Sequence, residues 1–170
     1  PMKLLLTCCV FLFLQGCETL NTQTQYNTPG VIPNAWIAKG RVSILANDSH
    51  QSVSFDIKFF DQEFEMVLVG ALGLGEVNLR STAQGLLVDH VQTPLKLQQW
   101  MEQELGWYFP LNTLPSIIFE HRLDINDEWQ VEINKFMPYE GVSVAKMVIL
   151  QHQNKPIKIK LLLQEVNQLK

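Results

Sequence analysis

The chain has 170 residues, 46% of them hydrophobic and 18% charged, with a formal net charge of −4. That length and apolar share suit one domain with a packed core, and they exclude a disordered chain, which combines low hydrophobicity with high net charge. The acidic balance, 17 carboxylates against 13 lysines and arginines, speaks against a nucleic-acid binder, whose affinity comes from a basic patch.

Met2-Lys3 opens the chain and is followed by Leu4 to Leu14, an apolar run interrupted at Thr7. Eleven helical residues reach about 16 Å, roughly half the hydrocarbon thickness, so the run is too short to span a membrane. A basic residue, a short apolar run and then small residues make an export signal. The run ends in Leu14-Gln15-Gly16-Cys17, which resembles the lipobox of bacterial lipoproteins. There an aliphatic residue, two mostly small residues and a cysteine direct diacylglycerol onto the thiol and cleavage before it. The resemblance implies a lipoprotein signal peptide over 1–16 and a lipid anchor, carrying palmitate, at Cys17. Removal of those 16 residues takes Lys3 with it and leaves 154 residues with a net charge of −5. Cys8 and Cys9 leave too, so the mature domain is expected to fold without disulfides and without a cysteine zinc site.

Glu18 to Asn34 carry one charge, two prolines and a run of Thr, Asn and Gln without helix or strand period. Residues 17–34 therefore read as the lipidated cysteine and a flexible tether, followed by a single domain over 35–170. Seventeen tether residues extend to at most about 60 Å and average about 23 Å as a coil. Glu18, in place of Asp after the cysteine, resembles the sorting pattern that keeps enteric lipoproteins at the outer membrane.

From Trp36 onward apolar and polar residues alternate. Val53, Phe55, Ile57 and Phe59 are interleaved with Ser54, Asp56 and Lys58. Glu76–Arg80, Trp129–Asn134 and Ile157–Leu161 repeat the pattern, and strand-like runs cover about 41–46, 63–70, 84–90 and 144–152. One wet and one apolar face per strand predicts an antiparallel sheet, curved or closed into a barrel. A helix is predicted between Thr93 as cap, Pro94 in the first turn and Gly106 at the end, with Leu97, Trp100, Met101 and Leu105 on one face. A second helix is predicted over Thr113–Phe119. The two helices should pack on the apolar face of the sheet, which makes the chain mainly β with a few helices.

Gly70-Ala71-Leu72-Gly73-Leu74-Gly75 falls between two predicted strands. It is not the dinucleotide fingerprint, which needs a helix after it. Hairpin tips normally carry Asn, Asp or Ser. Leu72 and Leu74 at such a tip either tuck back onto the core or project to meet a membrane or a partner.

Catalytic motifs are absent from the sequence. His50, His90, His121 and His152 are 31 to 40 residues apart, with no HExxH, so no metal is expected. Gly141-Val142-Ser143-Val144-Ala145 enters a predicted strand, where a GxSxG nucleophile would sit on a strand-to-helix elbow. The carboxylates are scattered along polar strand faces, no glycosidase pair can be picked out, and no Walker A motif is present. The reading is of a non-enzyme that needs no cofactor.

Several of these features together resemble the LolB family of outer-membrane lipoproteins. They are Cys17, then Trp36-x-x-x-Gly40-Arg41-Val42-Ser43 opening the first strand, and the Leu72-Gly73 hairpin. The helix holding Trp100 and ending at Leu105-Gly106 follows, then Pro110 and Leu114 before the second helix, and Trp129-x-Val131. Order and spacing fit over about 36–165. The chain departs from the family pattern at Phe119-Glu120-His121-Arg122, which lacks the usual Gly and Pro, at Val144-Ala145-Lys146, where a Pro is usual, and at Ile133, where an aromatic is usual.

The resemblance implies an unclosed antiparallel β-barrel with helices covering an apolar cavity. It implies a receptor that accepts lipoproteins from the periplasmic carrier LolA and inserts them into the outer membrane, shielding their acyl chains. On that reading the partners are lipoprotein cargo, LolA and outer-membrane phospholipid, with no nucleic acid, and the protein is a monomer lipid-anchored at the periplasmic face. Cavity walls are assigned to Phe55, Phe59, Phe64, Met66, Leu68, Leu97, Trp100, Met101, Leu114 and Ile118, all equally compatible with ordinary core. Leu72 is assigned to membrane insertion. Two rivals are a lipoprotein scaffold subunit of an outer-membrane assembly complex, which would have a filled core, and a hydrolase with a dispersed site.

Overall fold

The computed structural model describes residues 27–70 and 75–169; Cys17 and Leu72, and with them the signal peptide and most of the tether, lie outside the described residues. The nine strands are β1 (Ala35–Ala46), β2 (Ser49–Phe60), β3 (Glu63–Val69), β4 (Glu76–Thr82), β5 (Gly85–Val88), β6 (Val91–Thr93), β7 (Trp129–Tyr139), β8 (Val142–His152) and β9 (Ile157–Gln168). They form one antiparallel sheet in the order β6-β5-β4-β3-β2-β1-β9-β8-β7, which does not close. Every second residue is buried along β1, β2 from Val53, β3, β4 up to Leu79 and most of β9, so the sheet has one apolar face, as the alternation predicts.

Two helices and the loop between them lie against that face. They are α1 (Leu97–Glu104) and α2 (Leu114–Glu120), the latter entered through a 3₁₀ turn over Leu111–Thr113. α2 packs on β8 and buries Leu114, Ile117, Ile118 and Phe119. No helix among the described residues is long and apolar enough to cross a membrane.

The start of α1 differs from expectation. Thr93 does not cap it; Thr93 ends β6, opposite Leu86, and its hydroxyl accepts the Leu95 N–H at 3.2 Å. The helix begins after Lys96, whose N–H is accepted by the Gln99 side chain at 3.1 Å. With three residues, β6 is too short to carry a period in the sequence. The strand expected over 84–90 is cut short because Asp89 and His90 turn with φ of 47° and 70°. At the other end of α1, Gly106 takes the left-handed conformation (φ 74°) that terminates a helix, as its position predicts.

Register locates two irregularities that matter later. β1 and β9 slip by one residue between Lys39 and Gly40, where Gly40 faces Leu163 and Lys39 faces Glu165. β8 pairs with β9 only over Met147–Gln151, so the first residues of β8 are free on that side. The chain preceding β1 fills part of this gap, since the Ser143 N–H donates to the Thr28 carbonyl at 3.0 Å and the Gly30 N–H to the Phe119 carbonyl at 2.8 Å.

Candidate functional site

The sheet floor and the segment above it meet at a narrow apolar void of about 20 Å³. The floor is supplied by inward residues of four strands: Val42 on β1, Phe55 and Ile57 on β2, Met66 and Leu68 on β3, and Leu161 on β9. The roof is Met101 from α1, Trp107 and Phe109 from the interhelical loop, Leu111 from the 3₁₀ turn and Leu114 from α2. Every lining residue is apolar. A space of that size is about one water across, and an apolar one of that size stays dry.

The ten residues assigned to a cavity divide evenly. Phe55, Met66, Leu68, Met101 and Leu114 converge on the void. Phe59 and Phe64 belong to a separate aromatic cluster, where Phe59 stacks on Trp36 at 4.6 Å and Trp36 meets Phe119 edge-on at 5.0 Å. Trp100 and Ile118 are buried and Leu97 is half-buried, and none of the three lines the void. The roof residues Trp107, Phe109 and Leu111 were missed by sequence reasoning. Their signal was the aromatic run Trp107-Tyr108-Phe109 directly after the helix-ending glycine, a loop position where such residues have no reason to be unless they are covered.

Polar side chains fasten the roof to the rim at three places. The Trp107 indole N–H donates to Gln51 Oε1 on β2 at 3.1 Å. Lys155, in the turn between β8 and β9, reaches Glu102 of α1 at 3.0 Å and lies 5.0 Å over the Tyr108 ring. That bond from Lys155 holds the Glu102 carboxyl below its usual range. Tyr108 Oη donates to Glu128 Oε2 at 2.8 Å and is 3.1 Å from His152 Nε2. His152 is buried, and its Nδ1 accepts the backbone N–H groups of Asn154 and Lys155 at 3.0 and 3.1 Å. That assigns the ring proton to Nε2, which donates to Tyr108 Oη. Burial first and the Glu128 carboxylate second push the Tyr108 phenol up to about 12.

The four histidines stay apart. His50 and His90 are exposed, His152 is in the network just described, and His121 ends α2 with its Nε2–H on the Ser143 carbonyl at 3.1 Å. Burial pushes the His121 imidazole below its ordinary value. Among the described residues no three His, Cys, Asp or Glu side chains group as metal ligands would.

Known proteins were compared with this architecture. A family model described as outer membrane lipoprotein LolB matches residues 34–122, just over half the chain, from the start of β1 through α2. The outer-membrane lipoprotein LolB of Marinomonas sp. (strain MWYL1) is 22% identical over 187 aligned residues, covering 94% of this chain and 96% of that protein. Among solved structures, the crystal structure of a DUF1329 family protein from Desulfovibrio piger ATCC 29098 is 9% identical with a TM-score of 0.45, over 85% of this chain and 88% of that one.

Proposed function

This chain belongs to the LolB family of outer-membrane lipoproteins, with a role in lipoprotein localisation at the outer membrane and no enzymatic one, and from that premise we propose that it accepts lipoproteins from the periplasmic carrier LolA, shields their acyl chains between sheet and roof, and releases them into the membrane. The observation that supports this reading is the void whose every wall is apolar, placed between a one-sided sheet and a separate roof segment. Each CH₂ exposed to water costs about 0.8 kcal/mol, so one 16-carbon chain costs on the order of 12 kcal/mol. A lipid-bearing protein therefore needs such a shield to cross an aqueous gap. Transfer without an energy source runs from a weaker apolar site to a stronger one and then to the bilayer.

Pockets that hold ligands of drug size or larger run to about 300–1,000 Å³, against the 20 Å³ of the void. Acceptance therefore requires the roof to rise. The hydrogen bonds and ion pair at Gln51, Glu102 and Tyr108 are the ties that part, while the strands stay paired. The tightness of the same void favours the second reading, a scaffold with a filled core in an outer-membrane assembly complex. Uptake decides between them. The mature chain with Cys17→Ala is titrated with a fluorescent fatty acid; saturable uptake at one site supports the receptor, and none supports the scaffold.

A further inference from the structure

The outer face of the sheet has a cationic half without ion pairs and a half where cations and carboxylates are paired. Arg41 on β1 and Lys158 and Lys160 on β9 point outward, since their neighbours Val42, Ile157, Ile159 and Leu161 are buried. Register sets Arg41 beside Leu162, Lys160 beside Ser43 and Lys158 beside Leu45. Across β2 and β8 the next positions are serine, histidine, glutamine or apolar, with no acid among them. None of the three cations is in an ion pair among the described residues.

On the other side of Arg41 the face changes character: Lys39 pairs with Asp56 at 3.2 Å, Arg80 pairs with Glu65 at 3.4 Å, and Glu165 faces Lys39. Glu76 on β4 and Glu132 on β7 flank the cationic half from further out, each accepting a bond from an asparagine side chain. Two exposed apolar residues border the cations, Leu45 (44% exposed) and Val69 (47%). Val69 is the last residue of β3 before the glycine-rich hairpin, whose neck is closed by the Gly70 N–H on the Gly75 carbonyl.

We infer that this half of the outer face is a docking surface for anionic phospholipid. A chain with net charge −4 is repelled as a whole by an anionic surface, unless it presents a face of the opposite sign. Three free cations with two exposed apolar side chains form such a face, continuous with the hairpin. Docking there holds the hairpin end of the sheet against the bilayer. The use of this surface rests on the delivery reading above, but lipid binding by it does not require an acyl cavity.

The test is flotation of the mature Cys17→Ala chain with vesicles of phosphatidylcholine alone or mixed with phosphatidylglycerol, at low and high salt. Binding is expected to the mixed vesicles and to weaken with salt. Each cation near an anionic surface contributes about fivefold in affinity, so Arg41→Gln with Lys158→Gln and Lys160→Gln should lose on the order of a hundredfold. The same charge change at Lys39, Lys58 and Arg80 should cost far less. Equal losses in the two triple variants, or no preference for the anionic vesicles, overturns the inference. Normal vesicle binding by the Arg41 triple variant with loss of carrier-to-receptor transfer would assign the face to an acidic protein and overturn it as well. If the triple variant loses its circular dichroism spectrum, Lys160→Gln alone should still lose about fivefold. Fatty-acid uptake is followed in parallel, so that failed docking with intact uptake removes this inference and leaves the receptor reading standing.

Discussion

Gly40 sits where β1 and β9 slip register, and a Cβ there would collide with the Leu162 carbonyl oxygen and come within 2.9 Å of the Phe55 ring. Both neighbours are fixed, one as backbone and one as a wall of the apolar void. Gly40→Ala should therefore cost about 2–3 kcal/mol, read as a lower urea midpoint at unchanged slope; an unchanged midpoint contradicts the packing described. Tyr108 makes a pH prediction. Its phenol titrates near 10 in the unfolded chain and at about 12 in the folded one. Above pH 10 the unfolded state gives up a proton that the folded state keeps, so this contribution is whole below pH 10 and is lost as pH rises to 12. Tyr139, also raised by burial, adds to the same limb. Tyr108→Phe should flatten, without abolishing, the fall in stability between pH 10 and 12 seen by urea denaturation, and an unaltered fall contradicts the assignment. His121 has the opposite sign, since a base whose protonation is disfavoured on folding withdraws stability as pH drops below its ordinary value.

At the scale of elements, the roof segment is distinguished by how it is held. The strands beneath it are joined by backbone ladders, whereas α1 and its following loop are fastened by the side chains of Gln51, Lys155, Glu128 and His152. An exposed ion pair contributes at most about 1 kcal/mol, and a neutral hydrogen bond about as much. Gln51→Ala combined with Glu102→Gln should thus lower stability by no more than about 2 kcal/mol while speeding fatty-acid uptake in stopped flow. Uptake at the original rate would place the moving part elsewhere. The same contrast explains what could be read before the structure. Period-two runs such as Val53–Phe59 bury one face by necessity and declare themselves, as does the apolar stripe of α1. β6 is too short for a period, and Trp107, Phe109 and Leu111 are loop residues whose burial depends on a sheet floor remote in sequence. Cavity and core use the same side chains, so Phe59 and Phe64, inward on their strands like Phe55, could not be separated from it by pattern alone.

For the whole molecule, the segment preceding β1 and the neck of the hairpin meet the sheet at different strands. Thr28 is bonded at the start of β8, while Val69 at the hairpin neck is level, through Ser54, with Arg41 in the middle of β1. Ten residues lie between Cys17 and Thr28, and the eleven steps from one to the other reach at most about 40 Å. On this account acceptance and delivery are separable events. Leu72→Glu should leave fatty-acid uptake unchanged and block passage of cargo to liposomes, and normal delivery by that variant removes Leu72 from the account. The most direct test of the central claim mixes the mature Cys17→Ala chain with LolA carrying a labelled lipoprotein and follows where the label goes. The account predicts that the label moves from carrier to this protein and does not return; label that stays on the carrier, or that distributes equally in both directions, would contradict it.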